Sequence, residues 1–388
     1  MLDKQPVMIT AGGTGGHVYP GLAVARALMD KNIPVVWMGT HKGLEARIVP
    51  EAGIEMAWLE VSGIRGKGVG ALLMSPFRLI KAMSQSYKIL KKHRPAALLG
   101  MGGFVAGPGG LMASLMGIPV LIHEQNAVAG TTNKLLSRFA TEIFEGFPGT
   151  FHAKREAIPT GNPVRTDIAN IASPEERIKG HDGIFKVLVI GGSLGAKILN
   201  ETVPRALCQL PKEAHIQVVH QAGETTLELA QKTYEAAGVE AHIVPFVEDM
   251  AGAYAWADII ICRSGALTVA EVAATGLAAI MVPYPHAIDD HQTENARYLA
   301  DAGAAVVIPQ DKLTYDVLAE VLEGLMRAPE ELVAMSVRSR TLAKPEATAE
   351  VASIVADYAG YPFSADKAVQ PQSATATVNT ETTLEEQA

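Results

Sequence analysis

Residues 7–20 read VMITAGGTGGHVYP. A strand-like run, Val7 to Ala11, breaks into Gly12, Gly13, Thr14, Gly15 and Gly16, and closes on His17. The same pattern returns at residues 185–200, FKVLVIGGSLGAKILN, where Val187 to Ile190 runs into Gly191, Gly192, Ser193 and Gly195 before a second helical stretch. A strand, a glycine turn and a helix N-terminus together present backbone amides and the positive end of a helix dipole to an anion. Glycines can also serve only a tight turn between strand and helix. Two similar units, each opening one half of the chain, point instead to a phosphate or diphosphate ligand held between two domains.

Neither unit fits the common cofactor cradles. Gly13, Gly15 and Val18 break the Gly-x-Gly-x-x-Gly spacing, and no lysine stands where an ATP-type loop requires one. The second strand ends in Gly39, Thr40 and His41, without the carboxylate that holds an adenosine ribose. A nicotinamide-dependent dehydrogenase is therefore disfavoured.

Working outward, the first helix is expected from about Gly21 to Asp30 and a second from Leu44 to Glu51. IPVVWMG, AALLGMG and IPVLIHE supply further strands of the first half, and IQVVHQAG, AHIVPFV, DIIICRSG and AIMVPYP those of the second. Near-continuous Val/Ile/Leu runs predict strands buried on both faces, hence parallel sheets in an α/β protein. A polar, turn-rich stretch from Pro159 to Gly183 links the halves, with the boundary near Gly161 to Val164. The expected layout is a first domain over 1–162, a second over 163–342, a C-terminal helix over 343–362 and a disordered tail over 363–388.

Composition narrows the partners. The 388 residues carry a net charge of −8, which argues against nucleic acid as a bulk partner. Cys208 and Cys262 are the only cysteines, too few for a disulfide framework or a cysteine metal site and in keeping with a reducing cytosol. The N-terminus lacks the basic and apolar regions of a signal peptide, so none is expected. Residues 95–122 carry no charged side chain, as a membrane span would, but the glycines between Gly100 and Gly110 interrupt them. That stretch parses as strand, glycine loop, helix LMASLMG and strand.

Several side chains gather at predicted strand ends. CRSGALTVAE places Ser264 and Gly265 before a helix over Ala266–Ala274, with Glu271 two turns in. Glu271 is either a ribose-hydroxyl acceptor or a solvated helix glutamate, and the neighbouring anion site favours the first. Asp290 reads as an N-cap, leaving Gln292 in the first turn of the next helix with an amide suited to sugar hydroxyls. His123, Glu124, Gln125 and Asn126 crowd another strand end, and Arg165 follows the linker. From Val61 to His123 there is no acidic residue. Lys81, Lys88, Lys91 and Lys92 interleave there with Ile64, Leu72, Leu73 and Phe77, a pattern that suits an anionic membrane surface at about 1 kcal/mol per cation.

GGTGGHVYPGLAVA, GMGGFVAGPGG, HEQNAVAG, TGNPVR, GGSLGA, RSGALTVAE and DDHQTENA, in this order from about Pro6 to Tyr358, resemble the MurG glycosyltransferases of bacterial peptidoglycan synthesis. The resemblance implies a GT-B fold, two Rossmann-like domains with parallel sheets facing across a cleft. It implies inverting transfer of N-acetylglucosamine from UDP-N-acetylglucosamine to the 4-hydroxyl of the muramoyl sugar of lipid I, an undecaprenyl-diphosphate-linked muramoyl-peptide, giving lipid II without a bound metal or cofactor. The implied location is peripheral, on the cytoplasmic face of the inner membrane. Carried over by position, the substrate residues are Thr14, Gly15, Gly16, Asn126, Arg165, Ser193, Val247 through its backbone, Ala266, Leu267, Thr268, Val269, Ala270, Glu271 and Gln292. Inversion needs a base for the acceptor hydroxyl. His17 is the leading candidate, because an imidazole titrates near neutral pH, and Glu124 is the alternative. Another GT-B UDP-sugar enzyme, a glycolipid synthase or a UDP-sugar epimerase, is the competing reading.

Overall fold

The computed structural model describes residues 5–60, 75–151, 156–178, 183–192 and 195–363. The expectations for Ile64, Leu72, Leu73, Ser193 and the tail beyond Phe363 lie outside those residues.

Among the described residues, twelve strands form two parallel sheets. The first comprises β1 (Val7–Ala11), β2 (Val35–Thr40), β3 (Glu55–Leu59), β4 (Ala97–Gly102), β5 (Val120–Glu124) and β6 (Glu142–Glu145), in the order β3-β2-β1-β4-β5-β6. The second comprises β7 (Phe185–Ile190), β8 (Ile216–Gln221), β9 (His242–Val244), β10 (Ile259–Cys262), β11 (Ala278–Met281) and β12 (Ala305–Val307), in the order β12-β11-β10-β7-β8-β9. Counted from β7, this is the same doubly wound order. Both sheets therefore reverse between their first and fourth strands, and such a switch point opens a crevice at the carboxyl ends of the strands. At the first, Thr10 pairs with Gly100 and Ala11 with Gly102, so Met101 is an extra residue that bulges β4 beside the crevice.

Strands β1, β4, β5, β10 and β11 are buried throughout, as their apolar runs predict. Strands β3, β6 and β12 give weaker signals because they are sheet edges: β3 is only partly covered, β6 (EIFE) has a glutamate at each end, and β12 is three residues long. Two helices depart from the sequence reading. The first starts at Gly15 rather than Gly21, with Thr14 as its extended N-cap, and contains Pro20. Pro20 withholds one N–H from the ladder without ending the helix. The second spans Gly103–Leu115, so the glycines expected as a loop are helical. They are there for contact: a Cβ on Gly109 would lie 3.0 Å from the Met38 sulfur, and one on Gly110 3.0 Å from a Leu136 methyl. No helix among the described residues is long and apolar enough to cross a membrane.

The chain finally returns to its first half. In the helix Ala347–Tyr358, Val351, Ala352, Val355 and Ala356 are fully buried in the core that also holds Val7, Ile9 and Leu28.

The tightest contact at the first switch point is between Gly103 and Gly12. Gly103 has φ +79, and a Cβ there would lie 2.5 Å from the Gly12 carbonyl oxygen. Gly117 has φ +74 with no atom near a Cβ. Gly117→Ala is expected to lose only the left-handed backbone penalty, roughly 1–2 kcal/mol. Gly103→Ala is expected to lose about 1–3 kcal/mol more through overpacking. Urea denaturation of the two variants checks this, and equal losses would contradict the contact.

Candidate functional site

The helix Gly15–Asp30 of the first half approaches the helix Ala266–Thr275 of the second. Above β7 and β10 opens a pocket of about 730 Å³ lined by Gly192, Gly195, Arg263, Gly265, Thr268 and Gln292, among others. Gly265 is the extended N-cap of the helix Ala266–Thr275. The first amides of that helix have no partner in its ladder and are available to an anion. The Ser264 hydroxyl donates to the Gln292 carbonyl at 2.7 Å, and the Gln292 side-chain oxygen accepts from the Tyr284 amide at 2.9 Å. Gln292 therefore enters the pocket with its NH₂ end still to place. Asp290 stands at the expected N-cap, but with φ +50. Its carboxylate takes the Thr293 hydroxyl at 2.7 Å rather than a backbone amide.

Not every residue of the 266–271 segment offers its side chain. Val269 is fully buried in the core of the second domain, so only its backbone is at issue, whereas Leu267, Thr268 and Ala270 are half-buried. Val247 is similar: its side chain is buried and its amide already donates to Gln221 Oε1 at 3.0 Å, leaving its carbonyl. The other end of the same Gln221 amide donates to the Gly192 carbonyl at 3.1 Å, which ties the second glycine loop to residue 247.

Glu271 is buried and accepts one hydrogen bond, from the Tyr254 hydroxyl at 2.9 Å. Burial pushes its carboxyl up to about 7, against the opposing influence of Tyr254 and of Arg165 nearby. Burial likewise keeps the Tyr254 phenol protonated, so it remains the donor. A desolvated carboxylate with one donor has acceptor capacity left for hydroxyls of a ligand.

On the facing side, Thr14 and Gly13 are exposed, Gly15 and Gly16 begin the helix, and His17 is half-buried in its first turn. The loop is held from beneath by Glu45, a fully buried carboxylate that accepts from the Gly13 amide at 3.0 Å, the Thr40 amide at 3.1 Å and the Thr40 hydroxyl at 2.8 Å. The His17 ring lies on Gly102: a Cβ there would be 3.0 Å from both Nδ1 and Cε1. His17 Nδ1 is 2.8 Å from Gln125 Oε1.

Glu124, the alternative base, is arranged otherwise. One oxygen accepts from the Asn126 amide and side chain, both at 3.1 Å; the other accepts from the Gly130 amide and Asn133 Nδ2, both at 2.9 Å. Buried and met by four donors, it braces the loop from 124 to 133. Asn126 is drawn across the cleft. Asn295 Nδ2 reaches its Oδ1 at 3.3 Å and the Ser264 carbonyl at 3.1 Å, while Asn295 Oδ1 accepts the Ala127 amide at 2.8 Å.

Away from the cleft, the helix Ser75–His93 exposes Phe77, Leu79 and Ile80 together with Lys81, Lys88, Lys91 and Lys92.

Glu45, Gln221, Tyr254, Arg263 and Asn295 went unmarked in the sequence reading, and Gln125 was named only as one of a polar cluster. Gln125, Arg263 and Asn295 stand inside quoted motifs whose neighbours were marked; the others act at distances of many residues.

Two six-stranded parallel sheets of the same doubly wound order in one chain constitute the GT-B glycosyltransferase fold. Glycosyltransferase family 28 N-terminal and C-terminal domain models match residues 7–145 and 186–352. The UDP-N-acetylglucosamine–N-acetylmuramyl-(pentapeptide) pyrophosphoryl-undecaprenol N-acetylglucosamine transferase of Marinobacter nauticus is 49% identical over 348 residues, 90% of this chain and 96% of the relative. The crystal structure of MurG from Acinetobacter baumannii superposes with a TM-score of 0.79 at 44% identity, covering 91% of this chain and 99% of that one. The chain belongs to the MurG family of glycosyltransferases. The UDP-GlcNAc 2-epimerase of Neisseria meningitidis, at 15% identity and a TM-score of 0.63 over 90% of this chain and 100% of its own, shares the fold alone.

The raised carboxyl of Glu271 gives a stability prediction. Between the ordinary value of 4.5 and about 7 the folded protein holds a proton that the unfolded chain has released. Stability from this group therefore falls as pH rises through that window, and the deficit is complete above it. Glu271→Gln is expected to be relatively more stable than the parent at pH 8 than at pH 5. Denaturation midpoints at the two pH values check this, and a constant difference would refute it.

Proposed function

We infer that this chain transfers N-acetylglucosamine from UDP-N-acetylglucosamine to the 4-hydroxyl of the muramoyl sugar of lipid I, releasing UDP and forming lipid II for peptidoglycan. The observation that carries this reading is the near full-length match, at 49% identity, to an enzyme named for that transfer. The donor lies in the pocket of the second domain. Glu271 takes the ribose hydroxyls, Gln292 and Asn126 the sugar, the backbone at 247 the uracil, and Arg165 with the amides from 266 to 268 the diphosphate. Gly192 and Gly195, which flank Ser193 in the sequence, both line that pocket.

The acceptor approaches from the first domain, its diphosphate toward the helix start at Thr14, Gly15 and Gly16. His17 Nε2 takes the proton of the 4-hydroxyl, whose oxygen forms the new bond to the anomeric carbon. The bond from that carbon to the donor phosphate breaks on the opposite face, its electron pair leaving with UDP, so the anomeric centre inverts. Charge grows on the diphosphate as the bond breaks, and fixed amides at the start of the helix Ala266–Thr275 then bind it more tightly than in the ground state. His17 is favoured over Glu124 because both Glu124 oxygens are already taken.

Phe77, Leu79 and Ile80, exposed beside four lysines, support a membrane-facing role for this helix, toward the anionic lipid that carries the acceptor at the cytoplasmic surface of the inner membrane. Roles in cell shape and division follow from supplying lipid II.

Radiolabelled UDP-N-acetylglucosamine and a lipid I analogue should yield labelled lipid and free UDP; labelled sugar product without lipid would overturn the reading. His17→Ala is expected to lower kcat about 10²–10⁴-fold with donor affinity near normal, the range for losing a general base. An equal loss of donor affinity would sink the base assignment. Charge reversal at Lys88, Lys91 and Lys92 is expected to weaken binding to anionic vesicles, measured by co-sedimentation, while sparing turnover of a soluble acceptor analogue. Unchanged sedimentation would remove the membrane face.

A further inference from the structure

A neutral histidine works as a base through one nitrogen, and which one depends on where its proton sits. In this protein the answer can be followed from a backbone carbonyl. His123 is fully buried, and burial lowers it to about 4, so it is neutral near pH 7. Its Nε2 lies 2.9 Å from the Gly161 carbonyl oxygen. A carbonyl only accepts, so the His123 proton is on Nε2 and its Nδ1 bears a lone pair. Gln125 Nε2 is 3.1 Å from that Nδ1 and 3.1 Å from the His123 carbonyl oxygen. Both are acceptors, so the amide must present its NH₂ to His123; turned over, it would press its oxygen against two lone pairs. Gln125 Oε1 consequently faces His17 Nδ1 at 2.8 Å, and an oxygen acceptor there requires Nδ1 to carry the hydrogen. His17 Nε2 is left as the basic nitrogen, and among the described residues it has no hydrogen-bond partner.

We propose that Gln125 is a positioning residue for the transfer: its side-chain amide transmits the fixed protonation of His123 to His17 and holds His17 as the Nδ1–H tautomer, with Nε2 ready to accept a proton. The proposal rests on His17 being the base. The relay has little freedom. Gln125 is 1% exposed, and its own carbonyl accepts from Asn162 Nδ2 at 2.9 Å. The segment joining the two domains thus grips the relay at both Gly161 and Asn162. A bound acceptor hydroxyl meets a lone pair on Nε2 without prior proton rearrangement. Since the amide is neutral, it selects the tautomer without adding charge beside the acceptor.

The test reads the tautomer directly. In ¹⁵N-histidine-labelled parent protein at alkaline pH, long-range proton–nitrogen correlation should show His17 protonated at Nδ1 and unprotonated at Nε2. The His17→Ala spectrum supplies the assignment. The opposite pattern in the parent overturns the proposal with no variant needed. Gln125→Met keeps the bulk but removes both polar ends. It should mix the His17 tautomers and lower kcat at least about tenfold, within the range general-base catalysis contributes, while KM for UDP-N-acetylglucosamine stays within about twofold. A Gln125→Met protein with the parental tautomer and parental kcat refutes the relay and leaves the base assignment standing. A His17→Ala protein with parental kcat refutes the base assignment, and then a parental Nδ1–H signature describes only packing.

Discussion

Close backbone approach at the two switch points is the constraint on which the site depends. At the first, Gly103 passes so near the Gly12 carbonyl that no side chain fits between them. That contact presses the start of the helix Gly103–Leu115 onto the glycine turn after β1, and the His17 ring lies on Gly102 beside it. At the second, a Cβ on Gly195 would fall 2.1 Å from the Ala222 carbonyl oxygen, so the loop that opens the helix Lys197–Cys208 is pressed onto the end of β8. Both crevices keep unpaired amides on their walls because nothing larger than hydrogen stands in front of the chain there.

Buried carboxylates then divide according to the donors they meet. Glu45 accepts three hydrogen bonds, Glu124 four, and Glu145 those of the Gly149 and Phe151 amides. All three lie at the carboxyl edge of the first sheet and hold loops there. Taking a carboxylate out of water costs several kcal/mol unless charge-assisted bonds replace the solvent. Glu271 has only Tyr254, and its carboxyl rises to about 7 as a consequence. The same side-chain chemistry yields three braces and one open acceptor, and donor count separates them where sequence position does not.

That separation explains how much could be read from the chain. The glycine loops, the central strands and the helix after Ser264 were legible because local composition dictates them: buried parallel strands must be apolar and crevice turns must be small. The start of the first helix was misplaced because Gly16 and Pro20 are local breakers, overridden once Thr14 caps a helix packed on β1 and β4. The edge strands β3, β6 and β12 went unread, while the edge strand β9 was read from AHIVPFV: β3 is partly exposed, β6 has a glutamate at each end and β12 is three residues long. Glu271 and Gln292 were marked because each stands in or near the start of a helix that follows a strand end. Asn295 was not, since its significance lies in contact with Asn126, 169 positions earlier. Gln125 was grouped with its neighbours as a polar cluster, and only the distances to His17 and His123 distinguish it.

The arrangement around His17 also accounts for the use of a neutral amide where a carboxylate is next to it in the chain. A carboxylate hydrogen-bonded to His17 would favour the imidazolium and stabilise the product of proton abstraction. It would also stand behind a cleft built to admit a diphosphate, adding like charge where helix N-termini supply the opposite. Glu124 instead turns its two oxygens to the Gly130 amide, the Asn133 side chain and Asn126, away from the ring. Gln125, one residue on, points the other way along the alternating backbone and offers a dipole that fixes orientation without net charge. On the proposed assignment of His17 as the base, Nε2 keeps a defined lone pair, and the electrostatic bias toward an anion stays with the helix ends.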